Sequence, residues 1–117
     1  MSGLTGYLAG LSAEDAMTRH YEAKGAKILA RRWRGAGGEL DLVVEDDGVV
    51  VVVEVKKSRT FDMAAARLTR KQISRLYAAA EEFLGTLING GLRNTRFDVA
   101  LFDASGQHRV LENALCA

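Results

Sequence analysis

Two stretches decide the fold: Gly38-Glu39-Leu40-Asp41-Leu42 and, past an Asp46-Asp47-Gly48 turn, Val49-Val50-Val51-Val52-Val53-Glu54-Val55-Lys56-Lys57. Asp47-Gly48 suits a two-residue primed turn, so the stretch reads as a β-hairpin. With that dipeptide as the loop, residue 46 faces residue 49 and the numbers of facing residues sum to 95. Asp41 then lies opposite Glu54, and Glu39 opposite Lys56. Side chains alternate along a strand, so all four project from one face. Facing Cβ atoms lie about 5 Å apart, where like charges destabilise, and burying charge among valines is costly unless something compensates it. A divalent cation between Asp41 and Glu54 would remove the repulsion, because hard cations such as magnesium take carboxylate oxygens at about 2.1 Å. A site is implied.

Upstream of the hairpin, the first ten residues are small and glycine-containing and read as a flexible arm, leaving 11–117 as a single domain. Ser12 with Asp15 resembles a capping pair, and Ala13, Ala16, Met17, His20, Tyr21 and Lys24 recur at helical spacing up to a stop at Gly25. Glu14 borders that stripe; on its own it reads first as a first-turn acid that favours the helix dipole. Ala26 to Arg34 is expected to be a first strand, with Trp33 in the core. Gly35-Ala36-Gly37-Gly38 lacks the lysine-serine ending and the strand-to-helix context of a phosphate-binding loop, so its expected role is to bring the chain tightly into the second strand. Leu40, Leu42 and Val44 should face one side of that strand, and Glu39, Asp41, Val43 and Glu45 the other. The third strand is apolar on both faces until Glu54, as suits a central strand covered on both sides.

Downstream, within Ser58 to Arg67, residues 62–67 read as a short helical turn or a mobile loop. Thr69 and Gln72 form a capping box, and Ile73, Leu76, Tyr77, Ala80, Phe83 and Leu84 make the stripe of a long amphipathic helix. Arg96 to Phe102 is a fourth strand and His108 to Leu111 a short fifth. The expected architecture is an α/β sandwich, a mixed central sheet flanked by helices.

At 117 residues the chain is long enough to bury a real core, and its +1 net charge gives no overall pull towards nucleic acid. The charge is distributed unevenly, because Lys56, Lys57, Arg59, Arg67, Arg70, Lys71 and Arg75 face Asp62 alone between positions 56 and 75. Arg70, Lys71 and Arg75 sit near a helix N-terminus, where cations oppose the macrodipole. An anionic partner would offset that cost; a solvated basic face is the alternative. The lone Cys116 forms no internal disulfide, and no apolar run approaches the roughly 20 residues of a membrane span, so the cytoplasm is the expected compartment.

Three carboxylates and a lysine, with no cysteine or histidine among them, suit magnesium or manganese rather than zinc. Such an ion activates water and stabilises charge on phosphorus, while Lys56 can hold or help deprotonate the attacking water. The basic helix would bind flanking phosphates without reading sequence. Phosphodiester hydrolysis is the chemistry that fits.

The order helix, three strands, helix, strand, with Asp41 followed by Glu54-Val55-Lys56, resembles the PD-(D/E)XK nuclease superfamily. Ala13-Glu14, Gly38-Glu39-Leu40-Asp41-Leu42, Val53-Glu54-Val55-Lys56, Arg70-Lys71-Gln72 and Arg96-Phe97-Asp98-Val99 more closely resemble the YraN-type family of small bacterial proteins, described as predicted endonucleases similar to archaeal Holliday junction resolvases. The resemblance runs from about residue 10 to about residue 103. It implies a restriction-endonuclease-like αβββαβ fold and a Mg2+- or Mn2+-dependent DNA endonuclease acting in repair or recombination. On this resemblance Asp41 and Glu54 are metal ligands, the Val55 carbonyl is a backbone ligand, Lys56 is the catalytic lysine, and Glu14 reaches the metal or its waters. Gln72 matches a polar position turned towards the site, and Lys57, Arg59, Arg67, Arg70, Lys71 and Arg75 are expected to hold DNA. Glu39 is a second ligand, a water acceptor or a partner of Lys56. Relatives commonly carry glycine where this chain has Ala13 and a Phe-Gly-x-Pro-like loop where it has Ser58-Arg59-Thr60-Phe61-Asp62. Symmetric cutting of a junction would call for a homodimer. The alternatives are a non-cleaving nucleic-acid-binding module and a protein-interaction scaffold.

Overall fold

The computed structural model of the chain describes residues 3–115, with side chains from Ser12 onward; Cys116 lies outside them. A first helix, α1 (Gly3–Ala23), leads into three strands, β1 (Lys27–Arg34), β2 (Glu39–Asp46) and β3 (Val49–Lys57). Two helices follow, α2 (Phe61–Ala66) and α3 (Arg70–Leu84), then a 3-10 turn at Gly90–Leu92 and the strands β4 (Thr95–Phe102) and β5 (His108–Leu111). The five strands form one mixed sheet in the order β1-β2-β3-β4-β5, in which only β3 and β4 run parallel. A parallel pair cannot be joined by a tight turn, and α2 with α3 supplies the crossover.

The hairpin register is the one its turn dictates. Asp47 (φ 51) and Gly48 (φ 82) both take positive φ, as a type I′ turn requires, and the pairs run from Asp46↔Val49 to Leu42↔Val53. β3 lies at the centre of the sheet. Val51 and Val53 pack with Met17 and Tyr21 of α1, whereas Val50 and Val52 pack with Leu76, Ala79, Ala80 and Phe83 of α3. A strand covered on both faces explains the unbroken valine run.

Two expectations need correction. α1 starts at Gly3, so Ser12 and Asp15 lie within the helix and cap nothing at its N-terminus, and the flexible-arm reading of 1–10 gives way to helix for the described part. Leu40 does not share the side of Leu42: it packs in the α3 cluster with its β1 partner Trp33, next to Arg32, whose φ of 51 breaks the strand alternation. Of the two readings of residues 62–67 the helical one holds: α2 covers Phe61–Ala66, with Thr60 Oγ1 accepting from the Met63 N–H at 3.1 Å and Arg109 lying 4.8 Å above the Phe61 ring. The other boundaries stand. Thr69 caps α3 by accepting from the Gln72 N–H at 3.2 Å, and Gly25 (φ 88) ends α1. Trp33 packs edge-on against Phe83 at 5.3 Å, a core position.

Away from the hairpin, the fully buried Asp98 gathers the C-terminal segment. It accepts from Tyr21 Oη (2.6 Å), Arg96 Nε (3.0 Å) and the Asn113 backbone N–H (2.9 Å), tying α1, β4 and the residues after β5 together. Burial and this hydrogen bond hold the Tyr21 hydroxyl protonated far above the usual tyrosine range. A buried charge with satisfied partners is tolerated, but removing it strands every donor. Asp98→Ala is therefore expected to lower the unfolding free energy by about 3–5 kcal/mol, and Tyr21→Phe by about 1–2 kcal/mol, in urea titrations.

Candidate active site

The central strand carries its acid at the point where the valine run ends. Val53 is the last residue of β3 paired with β2, and the next position brings Glu54 to Asp41. The hairpin does not simply continue there. The Asp41 carboxylate (Oδ2) accepts from the Val55 backbone N–H at 2.9 Å, so the β2 side chain closes the gap where the strands part. Glu54 and Lys56, two residues apart, lie on the same face, with Lys56 Nζ 3.2 Å from Glu54 Oε2. Their side chains are 12 % and 15 % exposed, so the pair is well shielded from water.

Burial pushes the Glu54 carboxyl up to about 8, aided by a hydrogen bond to Asp41 and by the Asp41 charge; Lys56 opposes the shift. Glu54 thus keeps its proton near neutral pH, and its hydrogen bond to Asp41 takes the place of repulsion between two charges. Next to them, on the first turn of α3, Gln72 Oε1 is buried without a hydrogen-bond partner. Glu54, Gln72 and Arg75 line one hollow with Gly38, Glu39 and Leu76.

Glu14 comes from α1. Its side chain is 8 % exposed, and it feels the charges of Asp41 and Glu39, but its nearest cation is Arg32, whose Nη1 lies 3.4 Å from Oε1. Burial raises its pKa and Arg32 partly offsets the rise. Next door, Arg31 Nη2 sits 2.6 Å from Asp15 Oδ1, so two consecutive arginines of β1 reach one turn of α1. Alternation would send them to opposite faces; the left-handed backbone at Arg32 turns them to the same one. Glu39 pairs with Arg34 (2.9 Å), its cross-strand neighbour in β1.

The basic residues divide. Arg70, Lys71 and Arg75 are exposed on α3, and Arg59 is exposed before α2. Arg67 donates to the Lys57 carbonyl at 2.9 Å and so fastens α2 to β3. Lys57 lines a hollow with Ala13, Ala16 and Phe102 under α1, on the face opposite Glu54. Of the expected phosphate-binding set, only Arg75 borders the hollow that holds Glu54. The sequence reading missed three residues: Arg32 behind Glu14, Arg34 behind Glu39, and Glu82, which accepts from the Ala36 and Gly37 N–H groups at 2.9 and 3.1 Å. The run Arg31-Arg32-Trp33-Arg34 was the available signal for the first two, because three guanidinium groups on an edge strand need anionic partners.

The donor chemistry fits the hard divalent cation that the resemblance implies. Asp41 and Glu54 offer carboxylate oxygens, the Val55 carbonyl is adjacent in sequence, and a cation would replace the proton on Glu54. Among the described residues no three Asp, Glu, His or Cys side chains converge tightly enough to enclose an ion by themselves. Magnesium commonly binds through one or two carboxylates and keeps water for the rest, so two suffice.

A mixed five-stranded sheet with helices on both faces, and an acid pair followed by lysine at the end of the central strand, is compatible with a restriction-endonuclease-like fold. The profile of the uncharacterised protein family UPF0102 matches residues 13–102. A UPF0102 protein of Cereibacter sphaeroides is 49 % identical over 117 residues, all of both chains. One from Roseobacter denitrificans is 50 % identical over 97 % of this chain and 88 % of its own, and one from Ruegeria pomeroyi 47 % identical over 96 % and 91 %. The chain belongs to the UPF0102 family.

The proton on Glu54 fixes a pH dependence. The Glu54 pKa is about 8 folded against 4.5 as the ordinary value, so between these the folded state holds a proton that the unfolded state has lost. Stability is fully present below pH 4.5 and falls as pH rises until the folded pKa near 8 is passed. Thermal melts of the metal-free protein should show this decline, and Glu54→Gln should remove most of it.

Proposed function

We propose that the chain is a Mg2+- or Mn2+-dependent DNA endonuclease whose reacting centre is Asp41, Glu54 and Lys56. The observation that carries this reading is the shielded pair of facing carboxyls at the end of β3, with the Lys56 ammonium 3.2 Å from Glu54. Such a pair is a poor structural element, because burying two acids against one cation costs more than an apolar pair would. It is a good reaction centre. Asp41 and Glu54, with the Val55 carbonyl, would hold the ion, and Glu14 would act on it or its waters from α1. When bound, the ion supplies an activated water and stabilises charge on the phosphoryl group.

The chain's own groups do the remaining work. The Asp41 side chain, anchored by the Val55 N–H, keeps its carboxylate in one orientation. Lys56 stands within reach of the attacking water and offsets the negative charge that builds on phosphorus. Gln72, whose carbonyl oxygen lacks a partner beside Glu54, can accept from a bound water or turn its amide to the phosphate. Arg70, Lys71 and Arg75 supply cations for the flanking phosphates, which position a strand without reading it. No helix among the described residues is long and apolar enough to cross a membrane.

One observation favours a second reading. Glu14, the third acid, is paired with Arg32, as suits a module that binds nucleic acid through the same fold without cutting it. Linear and branched DNA incubated with manganese separates the two. The endonuclease reading expects strand cleavage that drops by about 100-fold or more in Asp41→Ala and in Lys56→Ala, with melting temperatures still cooperative. Salt-sensitive binding that is indifferent to metal, with no cleavage by the wild type, would favour the module.

A further inference from the structure

Two adjoining hollows open beside the acid pair. The inner one, about 200 Å³, holds Glu54 and Gln72, and the outer one, about 370 Å³, is bounded by Arg34 and the Gly35-Ala36-Gly37-Gly38 loop. Gly38, Glu39 and Arg75 line both, so they form one groove running from Glu54 to the edge of the sheet. Its glycine wall is fixed. The Glu82 carboxylate accepts the N–H groups of Ala36 and Gly37 and so fastens the loop to α3. A Cβ at Gly35 would stand 2.4 Å from Glu82 Oε1 and 2.7 Å from the Trp33 ring, so the loop sits as close as a bare backbone allows.

Two guanidinium groups mark the path. Arg75, in the wall common to both hollows, makes no ion pair among the described residues. Farther out, the Arg34 side chain is 79 % exposed and its carboxylate partner is Glu39. An exposed pair of this kind is weak, and a guanidinium has five donors, so Arg34 can take a phosphate while keeping Glu39. Both groups have the planar fork that matches phosphate oxygens. Hollows of about 200 and 370 Å³ are small against a duplex and match the size of a short stretch of one strand.

We propose that this groove holds one unpaired DNA strand on one side of the cleaved bond, its next phosphates lying on Arg75 and then Arg34. The substrate class is then a duplex carrying a single-stranded extension or flap. The assignment of the groove as leading away from a cleavage site rests on the hydrolytic reading above; the binding preference does not.

Fluorescence anisotropy without metal tests it, with a short blunt DNA duplex and the same duplex extended on either end of one strand. The full-length protein should bind one extended duplex about tenfold more tightly than the blunt one. Arg34→Ala should remove most of that preference and leave blunt-duplex affinity within about twofold, Arg75→Ala should weaken both probes but the extended one more, and Arg34→Lys should retain part of the preference. The salt slope for the extended duplex should fall by about one per arginine removed. Equal affinity for blunt and extended duplexes, no DNA binding, or variants that weaken both probes in proportion would overturn the proposal. Cleavage with manganese is scored separately: an intact preference without cleavage overturns the hydrolytic reading alone, and cleavage without preference overturns the groove alone.

Discussion

Burial of Glu54 beside Asp41 makes its charge costly unless a proton or a cation offsets it, and the structure around the two acids is arranged by that constraint. They meet because the Asp47-Gly48 turn sets the hairpin register and because valines on both faces hold β3 at the centre of the sheet. A register slip of one residue would turn Glu54 to the other face and expel alternate valines from both cores, so the fold that buries the valines also brings the acids together. The site therefore inherits its rigidity from the core.

Each neighbour of the pair adjusts its charge or holds its position. The Val55 N–H fixes Asp41, Lys56 lies against Glu54, and burial holds the Glu54 proton, which removes the remaining repulsion. Glu14 shows the same logic at one remove. It is buried from the helix side, and the strained backbone at Arg32 brings a guanidinium to it from β1. Strain of this kind costs of order 1–3 kcal/mol and persists where the surroundings impose it. Here it sets two arginines against Glu14 and Asp15 on one turn of α1.

Much of this was legible in the sequence, and the boundary of what was legible follows from the physics. Alternation and turn chemistry act locally, so the register, the central place of β3 and the approach of Glu54 to Asp41 could be read from spacing. The stripe of α3 and its Thr69 cap were readable for the same reason. Leu40 and Arg32 were not, because a single left-handed residue changes which side a strand presents and no local signal announces it. The start of α1 was obscured by Gly3, Gly6 and Gly10, although Leu4, Tyr7, Leu8 and Leu11 recur at helical spacing. Glu82 and Asp98 act on segments far away in the chain, and only the assembled fold shows their partners.

The account turns on the acid pair exchanging its proton for a cation. Calorimetric titration of manganese into the protein near neutral pH, repeated in buffers of different ionisation enthalpy, measures that exchange directly. The account predicts one bound ion with release of about one proton, and loss of both in Glu54→Gln. Binding without proton release, or binding that survives in Glu54→Gln, would contradict it.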